Sequence, residues 1–249
     1  MAATGRTFWR EEAVMSSMTA DSLEAALRAI RSDNAIADVA RFFHDGLGET
    51  RVLGVGIGKV FPVAKQHTAL TLPEISRLLD SPFYEVRMAA AAIMDFQARQ
   101  KKPANPLSAL YELYLDRHDR LNNWDLVDRA APYVVGQYLD DKPRDPLYDL
   151  AASSDPWRRR TAIVATYYFI RKGDLRDTFS ICALLAGDPH DMVQKAIGSW
   201  VRTAGEADRD QLKTFLAENR GRLSATAVRM ATEKLSPHEK AIFRSKAPP

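Results

Sequence analysis

From Asp21 onward the apolar positions fall at spacings of three and four. Leu23, Ala26, Leu27 and Ile30 follow an Asp-Ser start, which predicts an amphipathic helix. Asp33-Asn34 predicts the start of a second helix carrying Ile36, Val39, Ala40, Phe42 and Phe43, ended by Gly46 and Gly48. Residues 53–58 are apolar and punctuated by Gly54, Gly56 and Gly58 just before Lys59, but they lack the Walker spacing and a preceding strand. They predict a tight connector aiming the N-terminus of a helix over 59–67, an end that suits a phosphate.

Proline punctuates the rest. Pro73, Pro82, Pro103, Pro106, Pro143, Pro146, Pro156, Pro189 and Pro237 mostly stand where a helix would begin, because the first turn has no use for the missing N–H. Pro132 is the exception, and it predicts a kink or interruption after Arg129. Beneath the punctuation lies a repeat. D-P-W-R-R-R-T-A-I starts at Asp155 and D-P-H-D-M-V-Q-K-A-I at Asp188, 33 residues apart, with N-N-W-D-L-V-D-R-A-A the same distance earlier at Asn122. A fourth copy, S-P-F-Y-E-V-R-M-A-A, starts at Ser81. Helix pairs recurring at this length predict an all-α fold, a curved α-solenoid of antiparallel helix pairs in which each unit buries its apolar face against its neighbours.

Composition adds bounds. At 249 residues the chain can bury a substantial core, and its apolar and charged fractions are ordinary globular values. The formal net charge of +3 does not announce a nucleic-acid binder, so any basic surface must come from segregation of charge. Cys182 is the sole cysteine, which excludes an intrachain disulfide and a multi-cysteine metal site. No run approaches the length of a membrane span, and the start has no apolar signal region, so a cytoplasmic protein is expected. Residues 1–20 are expected to be a flexible extension, 21–246 a single repeat domain, and the tail after Lys246 loosely held. Nothing points to oligomerisation, and a monomer is expected.

The stretch 122–136 carries the candidate chemistry. On a helix Trp124 and Asp128 share one face a turn apart, so an aromatic face and a carboxylate together can stabilise a centre that becomes cationic. A core tryptophan followed by a solvated aspartate has the same spacing. The candidates for a basic face are Lys59, Arg87, Arg158, Arg159, Arg160, Lys195 and Arg202. A solenoid lined with such positions fits a duplex, whose phosphates recur along a track. Consecutive residues differ by about 100° on a helix, so the three arginines at 158–160 cannot all face one way. Arg158 and Arg159 read best as a solvated face.

Taken with G-V-G-I-G-K-V at Gly54, Y-E-V-R at Tyr84, the Asp155 block and Q-K-A-I-G at Gln194, this stretch resembles the AlkD-type DNA glycosylases over roughly residues 21–235. The resemblance implies HEAT-like repeats and excision of cationic N3- or N7-alkylated purines, such as 3-methyladenine and 7-methylguanine, from duplex DNA without base flipping. It implies that Asp128 stabilises the sugar as it gains positive charge and positions water, that Trp124 holds the sugar, and that Arg160 is the functional arginine. Arg202 falls on a second DNA-contacting arginine; Lys195 and Lys59, from the basic positions above, and Phe42, Ser199 and Trp200 complete the expected DNA-binding set. No metal or organic cofactor is implied. Two positions depart from the pattern: Ser199 stands where the family has a second tryptophan, with Trp200 one place later and turned about 100° away, and Phe42 stands for a tyrosine. These departures bear on activity rather than fold. Two alternatives follow, a non-catalytic relative that binds distorted or branched DNA, and a helical-repeat scaffold for proteins.

Overall fold

A computed structural model describes residues 18–43 and 46–244. The expectations for most of the 1–20 extension and for the tail after Lys246 lie outside the described residues. The chain is all-α. It packs as two compact units, residues 1–130 and 131–249.

In the first unit, α1 (Ala20–Ala29) starts in a capping box between Thr19 and Ser22 and buries Leu23 and Leu27. The second helix, α2 (Asn34–Ala40), is shorter than the apolar pattern predicts, because the chain turns at Ala40 and leaves Phe42 and Phe43 beyond its end. The glycine-rich connector leads into α3 (Ile57–Gln66), followed by α4 (Leu72–Asp80), α5 (Tyr84–Ala98), α6 (Leu107–Asp116) and α7 (Trp124–Ala131). Helix α5 is almost wholly buried. The alanine run 89–92 lets α3, α4 and α6 all pack on it. A single bridge holds Arg51 against Phe83, with Arg51 N–H on the Pro82 carbonyl and Tyr84 N–H on the Arg51 carbonyl, both at 2.8 Å.

The glycine-rich connector has an internal occupant. The buried carboxylate of Glu85 accepts the backbone N–H groups of Leu53, Gly54 and Val55 at 2.9, 2.9 and 3.0 Å. Those amides are spent on a side chain of α5, and what remains for an outside anion is the first turn of α3 with exposed Lys59. Gly54 is required here. Its φ is +89°, and a Cβ would meet the Ser32 carbonyl oxygen at 2.4 Å.

The second unit begins with a π-helical turn, Pro132–Gly136, so the interruption predicted after Arg129 falls two residues later and takes the form of a wider turn. Gly136 packs there against the Ala165 carbonyl, where a Cβ would lie only 2.2 Å away. Next come α8 (Asp145–Ala151), α9 (Pro156–Ala165), the short α10 (Tyr167–Ile170), α11 (Arg176–Leu184), α12 (Asp191–Ala207), α13 (Arg209–Asn219), α14 (Ala225–Ala231) and α15 (Pro237–Arg244). Helices α8, α11 and α13 pack in one series and α9, α12 and α14 in another, each rank touching its sequence neighbours. That neighbour-only packing is what an α-solenoid requires.

The structure shifts the register of the repeat. Arg87 donates to the Ser81 carbonyl six residues back and on to Asn122 at the start of the next copy. Arg159 donates to the Ser153 carbonyl, also six back, and on to Asp188. Gln194 donates to the Asp188 carbonyl, again six back, and accepts the Ser224 N–H. Ser153, not Asp155, is therefore the counterpart of Ser81 and Asp188. Asp155 matches His190 instead, since each caps its helix by accepting the N–H two residues on. Arg159 is accordingly a latch between repeats rather than a solvated residue.

Candidate active site

Trp124 opens α7 half-buried, and Phe42 holds its ring. The indole Nε1–H donates to the Phe42 carbonyl at 3.0 Å, and the Phe42 ring stacks on it with centroids 6.1 Å apart and planes 29° apart. The short α2 makes this possible. Lying beyond the end of α2, the Phe42 carbonyl has no partner within that helix and is open to the indole. Asn123, itself buried, donates to the same carbonyl at 3.2 Å.

Asp128 is half-buried four residues on, so α7 carries ring and carboxylate on one face. Its neighbour Arg129 points elsewhere. The Arg129 guanidinium lies between the rings of Phe61 and Phe96, 4.7 Å from each centroid, and pairs at 2.6 Å with Asp95, which is fully buried on α5. Burial drives the Asp95 carboxyl upward in pKa, against the opposing pull of Arg129 and Arg99. This clamp sets the rotation of α7, and residue 128 stands about 100° around from it.

A second carboxylate lies between the two site residues. Asp125 accepts from the Tyr84 hydroxyl, from Asn123 Nδ2 at 2.9 Å and from the Leu126 N–H at 2.9 Å. Burial pushes its carboxyl up to about 6, the Tyr84 and Leu126 hydrogen bonds oppose this, and the nearby charge of Asp128 adds to it. The Tyr84 hydroxyl is raised as well, first by burial and then by Asp125. Phe43 meets the Tyr84 ring edge-on at 4.9 Å. Sequence reasoning does not single out Asp125, Tyr84 or Asn123 as site residues. The paired aspartates of W-D-L-V-D are a signal, but the acceptor that joins them to Trp124 is a backbone carbonyl, which no side-chain pattern displays.

In the second unit, Lys195, Ser199 and Arg202 follow at spacings of four and three along α12 and so share one face. Lys195 pairs with Asp191 at 2.6 Å and Arg202 with Glu233. Trp200 is half-buried and leans on α9: its Nε1–H donates to the Val164 carbonyl at 3.2 Å, and its ring meets Tyr167 edge-on at 6.4 Å. Arg160 is the buried member of its trio, 5 % exposed, and its guanidinium donates to the Met192 carbonyl in the first turn of α12. Among the described residues no group of histidine, cysteine, aspartate or glutamate side chains is arranged to hold a metal ion. No described helix is long and apolar enough to cross a membrane.

Fold and site together define an all-helical repeat protein that presents a braced tryptophan and a carboxylate on one helix face. The chain belongs to the DNA alkylation repair enzyme family, whose sequence model matches residues 23–235. Its role is accordingly in the repair of alkylated DNA, as an enzyme with DNA as substrate. No curated protein matches the chain.

Proposed function

We propose that the protein is a DNA N-glycosylase that removes cationic N3- or N7-alkylated purines from duplex DNA without drawing the base into a pocket. The observation that carries this reading is the pairing on α7 of half-exposed Asp128 with a Trp124 ring held by Phe42. Alkylation at N3 or N7 places a positive charge on the purine, so the N9–C1′ bond breaks with both electrons leaving on the base, which departs neutral. The charge passes to the sugar as an oxocarbenium ion. Asp128 stabilises that ion electrostatically and orients the water that adds to C1′ and sheds a proton. The Trp124 ring holds the sugar through its electron-rich face. On α12, Lys195, Ser199 and Arg202 supply backbone contacts, and Lys59 supplies one at the start of α3. Arg160 braces the first turn of α12 through Met192.

The test is release of 3-methyladenine and 7-methylguanine from methylated duplex DNA. Wild type is expected to excise, and Asp128→Asn to be slower by roughly 100-fold, the scale of losing one preorganised electrostatic group. No excision by wild type, or undiminished excision by the variant, overturns the reading.

Ser199 and the tethering of Trp200 to Val164 favour a second reading, a relative that binds distorted or branched DNA without chemistry. It requires tighter binding to branched than to linear duplex at one fixed salt concentration, with no base released.

A further inference from the structure

The catalytic proposal uses Trp124 and Asp128 and leaves Asp125, in the turn between them, unemployed. Yet this carboxylate accepts from three donors on three sides: Tyr84 of α5, Asn123 before α7, and the Leu126 amide within α7. Asn123 in turn shares the Phe42 carbonyl with the Trp124 indole. The path from α5 to the indole is thus continuous: Tyr84 hydroxyl, Asp125 carboxylate, Asn123 amide, Phe42 carbonyl, Trp124 Nε1. Phe43, one residue beyond Phe42, packs edge-on against the Tyr84 ring and closes the circuit through the chain. Tyr84 itself is fixed by the Arg51 bridge and is wholly buried.

We propose that Asp125 and Tyr84 are positioning residues for the reaction, holding Trp124 through Asn123 and the Phe42 carbonyl in the orientation that the sugar requires. The role rests on the glycosylase reading for its functional consequence, though not for its geometry. A carboxylate is the group the position needs, because only two acceptor oxygens without a proton can serve all three donors. An asparagine offers one oxygen and sets an amide N–H against the donors, and phenylalanine at 84 removes the donor that ties the carboxylate to α5. In either variant the 42–43 turn keeps the edge-on contact of Phe43 with the ring at 84 but loses its hydrogen-bonded link to α5, and the Trp124 ring is expected to move by a fraction of an ångström relative to Asp128. Misplacement on that scale slows a reaction without much affecting binding.

The experiment compares full-length wild type, Tyr84→Phe and Asp125→Asn by three readouts: the 15N–1H signal of the Trp124 indole, identified by its loss in Trp124→Phe; single-turnover excision from methylated duplex together with the Kd for the same DNA; and thermal melting. Expected for both variants are a displaced, faster-exchanging indole signal, a Kd within about twofold of wild type, and an excision rate lower by roughly tenfold or more. An indole signal unmoved in both variants overturns the proposal, as does a rate loss that merely follows the loss of folded protein. Should Asp125→Asn fail to fold, Tyr84→Phe decides, since it removes one hydroxyl from a retained ring. Should wild type release no base, the glycosylase reading falls by itself, and the indole signal still decides whether Asp125 and Tyr84 orient the ring.

Discussion

Asp125 illustrates how one residue's surroundings turn into a measurable property. Burial outweighs the hydrogen bonds it accepts, and its carboxyl titrates near 6 rather than at the ordinary 3.8. The folded state therefore holds this proton more tightly than the unfolded chain does. The resulting stabilisation is complete below the unfolded value of 3.8 and is lost as the pH rises through about 6, a change of roughly 3 kcal/mol. Carboxyl 13C shifts followed by NMR are expected to place the Asp125 midpoint near 6. The fall in unfolding free energy between pH 4 and 6 is expected to flatten in Asp125→Asn; a midpoint at or below 4 contradicts this account. Above pH 6 the carboxylate is charged beside Asp128, which deepens the negative potential where a cationic sugar would form.

Among the elements, the recurring latch between successive repeats is the feature with the clearest energetic content. Arg159 is the strongest case, because it donates from Nε and Nη2 to Asp188, whose side chain is only 2 % exposed. Removing the guanidinium leaves a carboxylate out of water, supported by the His190 N–H alone of these donors. Arg159→Ala is expected to lower stability by about 3–5 kcal/mol in urea unfolding, the cost of breaking a buried pair from one side; a loss under 1 kcal/mol would show that the latch is ornamental. The helices are legible from spacing and proline, their caps only in places: Asp155 caps α9, but Thr19 rather than the Asp-Ser start caps α1, and Asp33 makes no capping hydrogen bond. The register is less so. Asp155-Pro and Asp188-Pro look alike in one dimension, yet one aspartate caps its own helix while the other receives the previous repeat's arginine. The π turn at Pro132 is legible only as an interruption, because its form depends on how closely Gly136 approaches Ala165. Trp124 and Asp128 are legible as a pair. The role of Phe42 is not, since it acts through its carbonyl as well as its ring.

For the whole molecule, a net charge of +3 carries no information about where DNA would lie, and only placement can supply it. Lys195 and Arg202 share a face of α12, and each already has an acidic partner, Asp191 and Glu233. Binding a phosphate exchanges that partner for another anion, so affinity is gained chiefly through counterion release and must fall steeply with salt. With Lys59 as a third contact, log Kd against log salt for undamaged duplex is expected to have a slope of magnitude about 3. Lys195→Ala, Arg202→Ala and Lys59→Ala are each expected to reduce it by about 1, equally for damaged and undamaged sequences. Asp128→Asn bears no phosphate and is expected to leave the slope unchanged while slowing excision. That contrast separates holding DNA from acting on it. A slope near zero, or one insensitive to all three cations, would remove the proposed phosphate contacts and return Lys195 and Arg202 to their ion pairs as ordinary surface residues.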